Sequence, residues 1–114
     1  MAISIDDAIA SPNTIPDQQT IIVTVSFEGI ALIDNTKVIV EFNLAPYPEL
    51  TFSGERVVTA PFIFNQKQDT FTKTLHITNN TPTSPVWINA LIGLTAKEYG
   101  TVWEDSTSAA IVYR

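Results

Sequence analysis

Acidic side chains are the most numerous ionisable groups of this chain, and four of them occur as adjacent pairs. Asp6 is followed by Asp7, and Glu104 is followed by Asp105. Two carboxylates can act as general acid and general base only where both face the same reacting atom. Neighbouring residues of an extended strand point to opposite faces, so we expect these pairs to be solvated rather than catalytic.

The chain contains one histidine, His76, and no cysteine. A lone histidine without cysteine does not complete a familiar zinc site, and we expect His76 to be a half-exposed strand residue. The glycine patterns of nucleotide-binding loops and of serine hydrolases are absent. The sequence therefore predicts that the protein is not an enzyme and has no cofactor, with a calcium ion as the one alternative.

Five acidic residues are predicted to lie at one end of the folded chain, where they would form a calcium site. In a seven-strand sandwich, the connections after the second, fourth and sixth strands emerge at the same end. Calcium takes roughly six to eight oxygen ligands, and Asp6 or Asp7 would lie nearby. The competing interpretation is simple surface acidity, because no contiguous calcium-binding loop motif is present. The five residues are Asp34, Asp69, Glu98, Glu104 and Asp105.

The segment 97–105 carries two aromatic residues, Tyr99 and Trp103, on either side of Gly100. It is predicted to be the connection between the last two strands, and aromatic side chains on such loops anchor protein partners or sugar rings. The alternative is that Trp103 folds back over the core and Tyr99 packs on a strand, since tryptophan is usually largely buried. Trp87 poses the same alternatives.

The overall charge argues against one class of partner. Twelve Asp and Glu against six Lys and Arg give a formal net charge of -6, which repels a phosphate backbone, so we expect no nucleic-acid partner. The low charged fraction of 16%, together with six Phe, three Tyr and two Trp, is unlike a disordered chain.

Neither a membrane span nor a signal peptide is predicted. No apolar run approaches the roughly 18 residues that a span requires, and residues 1–10 carry two aspartates where a signal peptide has its apolar core. A chain without cysteine fits compartments of either redox state. The localisation therefore stays open, and it would be extracellular or at the cell surface if the chain is part of a larger exported protein.

Alternating apolar residues predict that short β-strands position these groups. The clearest stretch is residues 20–28, and Ser53 with Gly54 favours a tight hairpin between two shorter stretches. No window has a helical period, and fifteen threonines favour strands. The fold class is therefore all-β, a single antiparallel β-sandwich of about seven strands that spans residues 1–114. The further predicted strands are residues 3–9, 37–44, 50–52, 56–60, 70–78, 86–94 and 107–114.

Several segments resemble the bacterial immunoglobulin-like repeat domains of surface and secreted proteins. Residues 5–25 are similar to the opening of these domains, and residues 62–78 to their turn followed by a threonine-rich strand. Residues 86–90 and 108–113 resemble the closing strands, while the turns at residues 17–19 and 66–68 lack the glycine that family members often carry. The resemblance implies an immunoglobulin-like sandwich that spaces, stiffens or adheres within a larger exported polypeptide, and it transfers no functional residue.

Three hypotheses for the function follow. The leading one is a non-catalytic structural or adhesive immunoglobulin-like module of a larger surface or secreted protein, with neighbouring domains as its contacts. The second is a binding module that uses the loop 97–105, with or without a calcium ion, to hold a protein or a carbohydrate. The third is a self-standing subunit of a phage or other oligomeric assembly, which associates through an exposed edge strand.

Overall fold

The structure is a computed structural model that describes residues 3–82 and 84–114, and these residues form strands and no helix. Accordingly, the described residues contain no helix long and apolar enough to span a bilayer. The strands in chain order are β1 (Ile3–Ser11), β2 (Thr14–Ile15), β3 (Thr20–Ala31), β4 (Thr36–Asn43), β5 (Leu50–Thr51), β6 (Val57–Phe64), β7 (Asp69–Asn79), β8 (Ile88–Glu98) and β9 (Glu104–Tyr113).

Two sheets pack face to face. One sheet has the order β1-β3-β7-β5 and is called the β3 sheet; the other has the order β2-β9-β8-β4-β6 and is called the β8 sheet. Every pairing is antiparallel except that of β2 with β9, which is parallel. Without the two-residue strands β2 and β5, seven long strands remain in the described part. The predicted all-β sandwich is confirmed.

The strands form because apolar residues alternate along them, and each sheet turns its apolar face inward. Along β3, Val23, Val25 and Phe27 are fully buried, and their neighbours on either side are not. The last strand is similar, with Ala109, Ile111 and Tyr113 buried. The strand predicted at residues 70–78 corresponds to β7. On its outer side β7 is paired only at its end, where β5 meets Thr78 and Asn79.

One detail of the prediction is wrong. The apolar alternation of the strand predicted at residues 86–94 puts Val86 and Ile88 on the core face, but they are 60% and 38% exposed. The ladder of β8 with β9 begins only at Ile88, opposite Tyr113, so the chain before it has no partner strand to bury it. The tight hairpin predicted at Ser53 and Gly54 is present but short. Phe52 and Glu55 exchange both backbone hydrogen bonds across the turn, at 2.7 and 3.1 Å, and beyond them β5 and β6 enter different sheets.

Aromatic rings fill the core between β3, β6 and β7. Phe27 meets Phe62 edge-on at 5.1 Å between ring centroids and stacks on Phe71 at 5.6 Å. Phe64 also stacks on Phe71, with 5.0 Å between the ring centroids. Stacked and edge-on pairs at these separations stabilise a fold beyond the area that they bury, so this cluster holds the two sheets together.

One buried polar side chain ties the strand ends together at the opposite side of the core. Asn79, fully buried, donates from Nδ2 to the carbonyl oxygens of Ile15 and Arg114 at 2.9 and 2.8 Å. Its Oδ1 accepts from the backbone N–H and the hydroxyl of Thr81. A buried amide is stable only when its hydrogen-bonding groups are paired, and here the pairing links the end of β7 to the ends of β2 and β9.

We expect Gly29→Ala to destabilise the fold because a Cβ there would lie 2.5 Å from Cζ of Phe64. Overpacking of this kind costs about 1–3 kcal/mol, measured as the free energy of unfolding in urea. Gly93→Ala is the matched control, since its Cβ would meet Asn43 at an ordinary 3.7 Å. Equal effects of the two substitutions would contradict the packing described for Phe64.

Candidate binding surface at the loop end

Three connections meet at one end of the sandwich, called the loop end. They are residues 32–35 between β3 and β4, residues 65–68 between β6 and β7, and residues 99–103 between β8 and β9. The N–H of Ala31 donates to the carbonyl oxygen of Asn65 at 2.8 Å, and that of Tyr99 to Lys37 at 3.0 Å. The first bond joins the two sheets at this end, and the second holds the β8–β9 connection against the start of β4.

The connection of residues 99–103 is fixed by its own hydrogen bonds. The N–H of Glu98 donates to the carbonyl oxygen of Trp103 at 3.0 Å, and the N–H of Trp103 donates to Oγ1 of Thr101 at 3.1 Å. Gly100 has a φ of 80°, in the left-handed region that favours glycine. The loop therefore presents its side chains from a defined backbone.

Those side chains are large, apolar and exposed. Tyr99 is 72% exposed, Val102 94% and Trp103 51%. Tyr99 is therefore mostly in solvent and Trp103 is half covered, and neither side chain belongs to the buried core. Their role in binding a partner stays a prediction.

The neighbouring connection adds two apolar side chains that the sequence analysis missed. Leu32 and Ile33 are 64% and 50% exposed. Their backbone is held because Gln66 Nε2 donates to the carbonyl oxygen of Leu32 and Thr36 Oγ1 to that of Ile33, each at 2.6 Å. The signal in the sequence is the apolar run that continues to the turn at Asp34. The apolar loop surface consists of Leu32, Ile33, Tyr99, Val102 and Trp103.

The acidic residues predicted to bind calcium lie at or near the loop end, but three of them already accept backbone hydrogen bonds. Asp34 accepts from the N–H of Gln66 at 2.7 Å, and Asp69 from that of Thr70 at 2.8 Å. Oδ2 of Asp105 accepts from the N–H of Ile5 at 3.0 Å.

The other two acidic residues flank the β8–β9 connection, where Glu98 is buried and Glu104 is exposed. Within the described residues, no three of the five bring their oxygens within 4.8 Å of one another. The arrangement does not preform a calcium site, which stays a prediction.

A different set of carboxylates does converge. Asp6 and Asp7 are exposed, as expected, but they do not point to opposite faces. A β-bulge lies between Asp6 and Ile9, and Asp7 has a φ of 49°. Because a bulge changes the alternation of side chains, both aspartates face Glu28, and the three carboxylates lie within 4.8 Å of one another. Gln68 Nε2 donates to Glu28 at 2.7 Å and to Asp6 at 3.3 Å.

Crowding of these charges perturbs one carboxyl group. The pKa of Glu28 is raised above its ordinary value of 4.5, first by a hydrogen bond with Asp7, then by desolvation and by the negative charges of Asp7 and Asp6. Exposed acidic clusters are common without a bound ion. Repulsion among these three carboxylates lowers the stability of the fold locally at the bulge.

The remaining residues considered in the sequence lie elsewhere. His76 is exposed on β7. Trp87 lies at the end opposite the loop end, where the Arg114 guanidinium sits 4.8 Å from the centroid of its ring. A cation over an indole is a favourable contact, and it leaves Trp87 45% exposed.

No family model and no curated protein matches the chain. Among solved structures, the chain is similar to the Pseudomonas fluorescens alkylpurine DNA glycosylase AlkC, determined bound to DNA containing an abasic site analogue, with a TM-score of 0.29 and 10% sequence identity. The match covers 94% of this chain and 30% of that chain. A similarity of this size carries no conclusion about the fold or the function.

We expect Glu28→Gln to raise the melting temperature at pH 7, with a difference that disappears in acid. The folded state holds a proton on Glu28 to a higher pH than the unfolded state, so stability falls as the pH rises through the raised pKa. Below the ordinary value of 4.5 both states are protonated, and the effect is absent. Melting curves from pH 3 to pH 8 test this. The control Glu55→Gln removes the same charge from an exposed turn and should show no such trend.

We expect Trp103→Ala to lower the free energy of unfolding by about 1–2 kcal/mol, because only half of the side chain is removed from water. Phe27→Ala, which empties a fully buried position, should cost about 3–5 kcal/mol. Urea unfolding of both variants makes the comparison. A loss in Trp103→Ala as large as that in Phe27→Ala would mean that the loop aromatic is part of the core.

Proposed function

We propose that the protein is a non-catalytic immunoglobulin-like module with a structural or adhesive role in a larger surface or secreted polypeptide. The observation that carries this proposal is that the first strand starts and the last strand finishes at opposite ends of the molecule. β1 starts at the loop end, where Ile3 pairs with Ala31, and β9 finishes at the opposite end, where Tyr113 pairs with Ile88. The molecule measures 48 × 21 × 17 Å along its principal axes.

A chain that enters at one end of an elongated domain and leaves at the other holds its neighbours apart in series. Domains whose termini lie close together instead suit insertion into another fold. The lateral contact of β1 with β9 supports this role, because the bond from Ile5 to Asp105 joins the first long strand to the last. The N–H of Val112 also donates to the carbonyl oxygen of Asn13 at 2.8 Å.

The strand order supports the immunoglobulin-like part of the proposal. In such sandwiches one sheet has the order A-B-E-D and the other contains C, F and G side by side. The order β1-β3-β7-β5 agrees with the first, and β9-β8-β4 agrees with the second. The departure is β6, which follows β5 in the chain but extends the β8 sheet beyond β4.

The apolar loop surface favours a second candidate function, in which the loop 97–105 binds a protein or a carbohydrate. Five exposed apolar side chains lie on two well-fixed connections at the same end of the sandwich, and exposed apolar surface of this kind marks interaction sites. The third hypothesis, a subunit of a phage or other assembly, requires self-association. The calcium prediction is tested by making the light-scattering measurement with and without the ion.

Light scattering and a tandem fusion test the module. We expect a mass of 12.5 kDa at every protein concentration, with and without calcium. Two copies fused directly, the end of one to the start of the next, should give a particle about twice as long by small-angle X-ray scattering. The control joins the copies through a long Gly/Ser linker, which behaves as a flexible coil and gives a broad distribution of lengths.

A defined oligomer of the single copy would overturn the module proposal in favour of an assembly subunit, and a compact side-by-side tandem would also contradict it.

The second candidate function, binding by the loop 97–105, is tested with an array of soluble glycans as the probe. Binding that Trp103→Ala removes would support the loop, and binding that Trp103→Ala retains would exclude it.

A further inference from the structure

One edge of the β3 sheet is open. β7 pairs with β3 from Asp69 to Thr78, but on its other side β5 meets only Thr78 and Asn79. Among the described residues, no strand pairs with residues 69–77 on that side. An unpaired edge presents a row of backbone donors and acceptors to any extended chain that reaches it.

The hydrogen bonds at the end of β7 identify the outward groups. The N–H of Asn79 donates to Gln19, on the β3 side, and that of Asn80 donates to Glu49, on the β5 side, each at 2.9 Å. The pairing with β3 continues without a bulge, so odd-numbered residues of β7 bond to β3 and even-numbered ones point to the open side. The N–H groups of Thr72, Thr74 and His76 therefore face outward, while that of Thr70 donates to the Asp69 carboxylate.

The other long edges carry features that block pairing. β6, the outer strand of the β8 sheet, contains Pro61, which has no N–H to donate. β1 is bent by its bulge after Asp6. β9 is flanked by β2 and, through the bond from Ile5 to Asp105, by β1. Proline, bulges and covering strands are the usual protections of a sheet edge, and none of these interrupts residues 69–77.

The surface beside this edge is apolar and carries one positive charge. Phe62 and Phe71 are only partly buried, and their rings meet at 5.5 Å. Lys73 pairs with the core residue Val25, so it lies on the inward face of β7, where it is half-buried. No carboxylate of the described residues forms an ion pair with Lys73.

We propose that the open edge of β7 binds an extended strand of another polypeptide, which runs antiparallel to β7 and places an acidic side chain opposite Lys73. An antiparallel strand would continue the line of β5, which pairs with β7 in that direction. Its residues two positions from the acidic one would be apolar, because they lie opposite Phe71 and Leu75. Opposite charges across a strand pair are stabilising.

The lysine also argues against a second copy as the occupant. When two copies of residues 69–77 pair antiparallel over their full length, the residue at the midpoint faces itself. That residue is Lys73, and like charges directly opposite each other are destabilising. An acidic segment of a different chain meets no such repulsion.

The test uses a labelled nine-residue peptide of alternating valine and threonine, with valine at both ends and glutamate at the centre, followed by fluorescence anisotropy. Paired with residues 69–77, its glutamate faces Lys73. We expect the peptide with a central lysine to bind about threefold to tenfold more weakly. Lys73→Glu should reverse the preference between the two peptides.

Two further variants distinguish strand pairing from non-specific adhesion. Thr74→Pro removes an outward N–H that the fold does not use, which an edge strand tolerates, and it should abolish binding. Thr74→Ala keeps the N–H and should bind like the parent. Circular dichroism and melting temperatures report whether each variant is folded. If Thr74→Pro is unfolded, the comparison of the two peptides on Lys73→Glu still decides the proposal.

Equal binding by Thr74→Pro and Thr74→Ala would overturn the proposal, as would the same affinity for both peptides or no binding up to about 1 mM peptide. A dimer of the parent protein that Thr74→Pro abolishes would show that a second copy occupies the edge instead. Of these outcomes only the dimer would also contradict the module proposal. The peptide results leave that proposal untouched, because it rests on the opposed positions of the start of β1 and the end of β9.

Discussion

The close approach of Phe64 to the backbone of Gly29 sets the spacing of the two sheets on the side where β6 and β7 lie. Three ring carbons lie within 2.9 Å of the position that a Cβ would occupy, so the ring fits only against glycine. Phe64 in turn stacks on Phe71, and Phe71 stacks on Phe27. Because this stack crosses from one sheet to the other, the position of the open β7 edge depends on it.

Strand alternation made much of this fold predictable. Residues 20–28 and 107–114 alternate because one face of each strand meets the core, and that local pattern does not depend on which strand lies alongside. The bulge at Asp7 and the exposure of Val86 were not predictable in this way. Both depend on the register and reach of a partner strand, which is a property of the pairing and not of the segment itself.

The candidate surface shows the same division. The exposure of Tyr99 and Trp103 agrees with their place beside Gly100 in a connection, but Leu32 and Ile33 are exposed because hydrogen bonds from Gln66 and Thr36 hold their loop outward. The acidic residues near this end show the same limit of the sequence. Backbone N–H groups where strands end need acceptors, and Asp34, Asp69 and Asp105 serve as such acceptors, which the spacing of acidic residues does not reveal.

The opposed positions of the chain termini have a mechanical consequence. Folded, the protein extends 48 Å along its longest axis, whereas its 114 residues fully extended would span about 400 Å. A load applied at the start of β1 and the end of β9 acts along these two strands. The non-covalent contacts between β1 and β9 bear this load before the rest of the sandwich does. In a series of such modules, the unfolding of one member would release several times its own folded length, so the array would lengthen under tension without breaking.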